Sequence, residues 1–328
     1  LVGCSPLDSV PTSPQAHLPD TEEGVDTDAT PARDTADSDA AGVPEPLDPF
    51  DCAAQPAPPL ASHPVPAARG THGLVFDSRG SLSGNADGVL YRVNAAGRQT
   101  IVATGLGTLH QLDRLPDGDL VAASASLQAL LRISRRGSVS PLVELDNVYG
   151  VRVGPDGLVY AANGRALWRV DPVTGDTLPW ITSEDDFFPK VFDWSHDYRH
   201  VYVGTVSSGG GIWVVELDEH LEPTGPPRPH ARDVGISWHD ALAGDICGNL
   251  YVSEAFSRAL YKVTPDGVVT RLLQDDLGYP HGLAWGPGTH GWGGVHLYLS
   301  QPYNGGTVAE LDVGVPARDW PGVVLNRP

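Results

Sequence analysis

Three histidines, a tyrosine, a lysine and an aspartate stand at one equivalent place in a repeated phrase: His72, His110, Tyr149, Lys190, Asp240 and His281. Imidazole nitrogen and carboxylate oxygen are ligands for divalent ions. His72, His110, Asp240 and His281 are therefore candidate metal ligands, in a set that favours zinc, iron or manganese over calcium. Lys190 is one of only two lysines in the chain. An ammonium group beside a metal would lose its proton more readily, which makes Lys190 a candidate base. Tyr149 is a second candidate for moving a proton. The chemistry of such a set is hydrolysis or elimination on a small polar substrate, with the ion as Lewis acid or source of hydroxide. The alternative is a polar, water-filled channel that binds a ligand or a protein without catalysis.

Chemistry of this kind needs elements that carry six distant residues to one place. The six lie in the phrases HGLVFDSRGSL, HQLDRLPDGDL, YGVRVGPDGLVYAAN, KVFDWSHDYRHVYVGT, DALAGDICGNLYVSE and HGLAWGPG…HLYLSQ, whose starts are 38, 39, 41, 50 and 41 residues apart. Each phrase opens as a short apolar strand, turns on Gly or Asp, and continues as a β-branched or aromatic strand. A period near 40 with four strands per unit is the pattern of propeller blades, which bury their faces only by closing into a ring. The expected fold is all-β: a six-bladed β-propeller of four-stranded blades over residues 69–328, preceded by a disordered tether. In blade three the expected strands are Tyr149–Gly154, Leu158–Ala162, Ala166–Asp171 and Asp176–Ile181. The outer strand of blade six has two candidates, Gly322–Asn326 and a segment near Leu60–Pro66. Trp168, Trp213 and the tyrosines 160, 202, 251 and 298 fall at repeated strand positions that suit packing between blades.

Closure would gather the starts of all inner strands at one mouth of an axial channel. The ends of the second strands return to the same face, placing Ser124, Asn163, Thr205, Glu254 and Gln301 on its rim. Loops before two inner strands add Glu184–Phe188, His230, Trp238 and His239. Of these, Asn163, Glu254, Gln301 and Trp238 are the candidates for binding a small-molecule substrate at the mouth.

The formal charge is −20, and residues 1–51 hold twelve acids and one base. An acidic body argues against nucleic acid as a partner. A monomer is expected. Residues 5–68 carry thirteen prolines and a single aromatic, Phe50, a composition that predicts an extended, solvated linker. Aspartates 26, 28, 34, 37 and 39 lack the central Gly and terminal Glu of a calcium loop. Outside position 4 there are two cysteines. Either Cys52 and Cys247 are bonded, stapling the incoming chain to blade five, or Cys247 is buried and inert and Cys52 exposed. No G-x-S-x-G, H-E-x-x-H, P-loop or dinucleotide fingerprint occurs.

Two resemblances add expectations. Leu1-Val2-Gly3-Cys4 resembles the lipobox that ends a bacterial lipoprotein signal peptide. That likeness makes residues 1–4 a signal remnant, Cys4 the lipidated residue, and the cell envelope, periplasmic or surface-exposed, the location, with the membrane contacted through the lipid alone. The phrases HGLAWGPG, WHDALAGDICGNLYVSE and DYRHVYVGT, within a likeness over about residues 70–315, resemble the gluconolactonase and senescence-marker (regucalcin-like) six-bladed propellers. That family implies lactone hydrolysis supported by a divalent metal, often calcium, on a Glu, an Asn and an Asp. Asp240 matches the Asp, whereas His72 and Lys190 stand where the Glu and Asn are expected. More distantly, His72, His110, His281 and Tyr149 are similar in type to the zinc-binding histidines and nearby tyrosine of peptidylglycine amidating lyase.

Overall fold

The computed structural model describes residues 50–182, 187–206, 210–273, 278–303 and 306–319. The chain divides into two units, residues 1–39 and 40–328, and every described residue belongs to the second. Lipidation of Cys4 and the acidic phrase Glu184-Asp185-Asp186 fall outside the described residues.

Among the described residues, twenty-four strands form six four-stranded antiparallel sheets. One strand, β1 (Ser62–Arg69), precedes the first repeat. Blade one is β2 (Leu74–Phe76), β3 (Leu82–Ala86), β4 (Val89–Val93) and β5 (Gln99–Ala103). Blade two is β6 (Leu112–Arg114), β7 (Leu120–Ser124), β8 (Ala129–Ile133) and β9 (Val139–Glu144). Blade three is β10 (Gly150–Val153), β11 (Val159–Ala162), β12 (Ala166–Val170) and β13 (Thr177–Thr182), within a residue or two of the strands read from the repeat. Blade four is β14 (Pro189–Trp194), β15 (His200–Thr205), β16 (Ile212–Glu216) and β17 (Arg228–Ala231). Blade five is β18 (His239–Gly244), β19 (Leu250–Glu254), β20 (Ala259–Val263) and β21 (Val269–Arg271). Blade six is β22 (Leu283–Trp285), β23 (His296–Ser300) and β24 (Thr307–Asp312), with β1 as its outer strand. Each inner strand touches the next, and β22 returns to β2, so the ring is closed.

Closure by β1 moves the start of the propeller into what composition assigns to the 5–68 linker. Pro64 and Pro66 cannot donate to a sheet ladder, and such residues disguise a strand as linker unless it lies at an edge. There β1 pairs with β24 on one side only, with a register shift between Pro64 and Arg69. Of the two candidates for this position, the N-terminal one is correct.

The sequence produces the blades through one turn and one ring contact, each repeated. Gly80, Gly118, Gly157 and Gly248 occupy the turn between the first two strands at φ 68° to 86°, a region open to glycine at no steric cost. Blade four places Tyr198 there at φ 57°. Between blades, Tyr160 meets Trp194, Tyr251 meets Trp285 and Tyr298 meets Phe76 edge to face, at centroid separations of 5.1, 5.4 and 5.2 Å. Such pairs contribute beyond the area they bury. Each ring is buried and gives its hydroxyl proton to a carboxylate of its own blade, Asp156, Asp245 or Glu310.

Cys52 and Cys247 are bonded, with Cα atoms 5.7 Å apart. Cys247 lies in the turn between β18 and β19. Beside it Gln55 donates to Asp245 and accepts from Lys262, and the Leu60 amide donates to the Leu272 carbonyl. The incoming chain is thereby tied along blade five before β1 completes blade six.

Candidate functional site at the upper mouth

The inner strands all begin at one mouth of the channel, called the upper one, and end at the other. His72, His110, Tyr149 and His281 sit just ahead of β2, β6, β10 and β22, while Lys190 and Asp240 are the second residues of β14 and β18. The structure brings all six together. His72 contacts His281 and His110 edge to face, at 4.6 and 5.3 Å between centroids, and His110 contacts Tyr149 at 4.7 Å. Lys190 Nζ lies 4.4 Å from the centre of the Trp238 ring and 5.7 Å from that of Tyr149. It donates a short hydrogen bond to Asp240 Oδ1, and both side chains are buried.

The electrostatics follow from burial. Desolvation, helped by the neighbouring His281, lowers the His72 pKa from 6.5 to about 4. Desolvation and then His72 lower that of His110 to about 3. Burial also lowers His281, against the raising influence of Asp240. All three imidazoles are therefore neutral at neutral pH. Burial pulls the Lys190 amine below the ordinary lysine range, and the Asp240 carboxylate opposes that shift.

His281 and Asp240 approach each other through their polar atoms. The ring Nδ1 of His281 lies 2.7 Å from the Tyr279 carbonyl oxygen, which can only accept, so the proton resides on Nδ1 and Nε2 carries a lone pair. That lone pair is 3.7 Å from Asp240 Oδ2, a buried oxygen with no hydrogen-bond partner. Two acceptors thus face one another.

A divalent ion does not fit the side chains as they stand. Among the described residues no group of three or more His, Cys, Asp or Glu is arranged to hold a metal. Of the candidate set His72, His110, Asp240 and His281, the last two face each other through Nε2 and Oδ2 at 3.7 Å, and His72 Nδ1 is buried without a hydrogen-bond partner. Lys190 already supplies Asp240 with a positive charge where a ligand carboxylate would meet the ion.

The rim residues divide. Trp238 faces the site through Lys190, and its φ of 70° is unusual for a bulky residue, a form of local strain that concentrates at binding sites. The other three substrate-binding candidates hold backbone amides. Asn163 accepts from the amides of Arg165 and Ala166, and Gln301 accepts from the Gly278 amide. Glu254 accepts from the amides of Ser237, Phe256 and Ser257. Ser124 accepts from the Leu127 amide, and His239 is buried against the Val234 carbonyl.

Two residues escaped the motif reading. Gln111 spans the channel: its side-chain oxygen accepts from the Val151 amide and its nitrogen reaches the Asp240 carbonyl at 3.5 Å. Its signal was available, because the same position in the other phrases holds only Gly, Val or Ala. Tyr303, on the connection after β23, packs against His72 and His281 at 5.5 and 5.4 Å. It belongs to no repeated phrase, so spacing carries no signal for it.

No protein-family model and no curated protein matches the chain. Solved structures do. A gluconolactonase from Xanthomonas campestris superposes with a TM-score of 0.63 at 15% identity, over 84% of this chain and 99% of its own. A calcium-binding protein, regucalcin, from Agrobacterium tumefaciens gives 0.64 at 18% identity, over 79% and 96%. An auxiliary nutrient binding protein from Bacteroides ovatus gives 0.60 at 14%, over 74% and 69%. The fold is thus that of the gluconolactonase and regucalcin-like six-bladed propellers.

Proposed function

We propose that the chain is a hydrolase of a small polar lactone or ester, working at the upper mouth with His281, Asp240 and Lys190. The observation that carries this reading is the pair of acceptors facing each other at 3.7 Å. A water molecule bridging them from the channel side would donate one hydrogen to His281 Nε2 and one to Asp240 Oδ2, leaving its oxygen lone pair free for a carbonyl carbon. As the carbon–oxygen bond forms, His281 takes the proton and becomes an imidazolium beside the Asp240 carboxylate. The carbonyl oxygen gains negative charge within the field of the Lys190 ammonium. Collapse breaks the bond to the leaving oxygen, which receives the proton from His281. The product of a lactone is the hydroxy acid, and atoms and charge balance.

Lys190 acts here as a fixed cation and not as a base, because Asp240 holds it. The rings of Tyr149 and Trp238 position it. Lys190 occupies Asp240 Oδ1 and no three ligand side chains converge among the described residues, so the reading carries no metal. The likeness to propellers named as gluconolactonase and calcium-binding regucalcin supports the fold and the lactone class, not the ion.

The cellular setting is part of the same proposal. A lipid on Cys4 would tether a monomeric propeller to the bacterial envelope, on the periplasmic or outer face. The Cys52–Cys247 disulfide supports an oxidising compartment. A second reading, a propeller that binds a solute without turnover, is favoured by the exposed rings of Phe188, Phe256 and Tyr303 on the upper face.

A panel of sugar, alkyl and aryl lactones and esters, followed by pH-stat, tests the proposal. Turnover is expected to survive a chelator, and to fall by about 10²–10⁴-fold in His281→Gln. Saturable binding without turnover would favour the second reading, and loss of turnover on chelation would restore the metal.

A further inference from the structure

A cavity of about 540 Å³ lies at the lower mouth, where the inner strands end, away from the histidines. That volume is in the range of small-molecule sites. Its walls combine apolar side chains, among them Phe76 and Leu283, with Arg114, Arg152, Trp285 and Arg318.

The two inner-strand aspartates at this mouth are engaged, while Asp319 lies exposed at its edge. Asp113 takes the amides of Val153 and Arg114. Asp193 takes the amides of Trp194 and Gly244, a short bond from Arg318 Nη1, and the approach of Arg152 Nε at 3.7 Å. The donors are not used up. Arg318 Nε and the Trp285 indole N–H are buried and have no partner. Arg318 arrives on the segment after β24, held by a bridge between Ala317 and Asp245 and by its own amide on the Gly244 carbonyl. Its guanidinium is fixed beside the rings of Trp194 and Tyr198, at 5.8 and 5.7 Å. Buried donors left without acceptors are costly, and a ligand that supplies acceptors relieves that cost.

We infer that the lower mouth is a second binding site, for a small organic carboxylate. Its oxygens accept from Arg318 Nε and Trp285 Nε1 with Arg114 at the rim, and its apolar body rests on Phe76 and Leu283. The inference is independent of hydrolysis at the upper mouth.

The test is titration of the full chain with hexanoate, phenylacetate and inorganic phosphate, read by calorimetry and by the shift in melting temperature. Both carboxylates are expected to bind saturably, and phosphate, which has charge but no apolar body, more weakly. Trp285→Phe keeps the ring and removes the orphaned donor. It is expected to leave the unliganded melting temperature unchanged or raised and to weaken carboxylate binding about tenfold. Arg114→Gln, at an exposed position, is expected to weaken it as well, and His281→Gln to leave it unchanged. The inference is overturned if neither carboxylate saturates by about 10 mM. It is equally overturned if both lower-mouth variants bind like the wild type, if phosphate binds as tightly as the carboxylates, or if His281→Gln abolishes binding.

Discussion

At the upper mouth the unpaired buried atom is an acceptor, Asp240 Oδ2, faced by the His281 lone pair. At the lower mouth the unpaired atoms are donors, Arg318 Nε and the Trp285 indole N–H. Both ends carry a buried cation on a buried aspartate, Lys190 on Asp240 and Arg318 on Asp193. What differs is how much backbone supports each aspartate. Asp193 is wrapped by two amides and two guanidinium groups, so the unmet demand beside it is for an acceptor. Asp240 has one oxygen bound by one ammonium, so its end can take an incoming donor. A ring of similar strands thus presents opposite polar demands at its two ends.

The comparison breaks first on the two ion pairs. Lys190→Met and Arg318→Met each strand a buried carboxylate, an event that costs about 3–5 kcal/mol. The loss is expected to be larger for Lys190→Met, because Asp193 keeps its amides and Arg152 whereas Asp240 keeps nothing. Urea unfolding of the two variants measures the order, and equal losses would mean that backbone support does not distinguish the mouths.

Smaller is the staple that holds the incoming chain at the lower turn of blade five. Cys52→Ser with Cys247→Ser is expected to cost about 2–5 kcal/mol. Reduction of the wild type should reproduce that loss, and upper-mouth turnover should persist in the folded fraction.

The pH response sharpens the difference further. His72 and His110 have folded pKa values of about 4 and about 3, below the reference of 6.5. Below pH 6.5 the unfolded chain binds protons that the folded chain refuses, so stability is full above 6.5 and falls as pH drops toward 4. His72→Gln is expected to flatten this fall in a series of melting curves. Arg114→Gln at the other mouth is expected to leave its slope unaltered.

The upper mouth was legible because rotation maps equal positions in a repeat to equal places around an axis. His72, His110, Tyr149, Lys190, Asp240 and His281 needed only their spacing to be brought together. Spacing could not say what each polar atom would meet. Asn163, Glu254 and Gln301 hold loop amides, a use of short polar side chains that looks the same in sequence as a substrate contact. The metal expectation came from residue types at equivalent positions, and spacing could not show that Lys190 would donate to Asp240 Oδ1. The lower mouth was hidden for another reason. Arg318 lies beyond the last repeat, and it meets Asp193, 125 residues away, only once the ring has closed. Which of two segments closes the ring stayed open in the sequence, because the prolines of β1 give a strand the composition of a linker.

The central claim is that His281 and Asp240 act as one unit on a bridging water. A double-mutant cycle of His281→Gln and Asp240→Asn, with lactone hydrolysis as the readout and folding checked by circular dichroism, tests it most directly. Groups that act together lose little more when both are removed than when one is. The double variant is therefore expected to retain about the same residual rate as the slower single variant. Losses that multiply, or a wild type that hydrolyses no lactone or ester, would contradict the account.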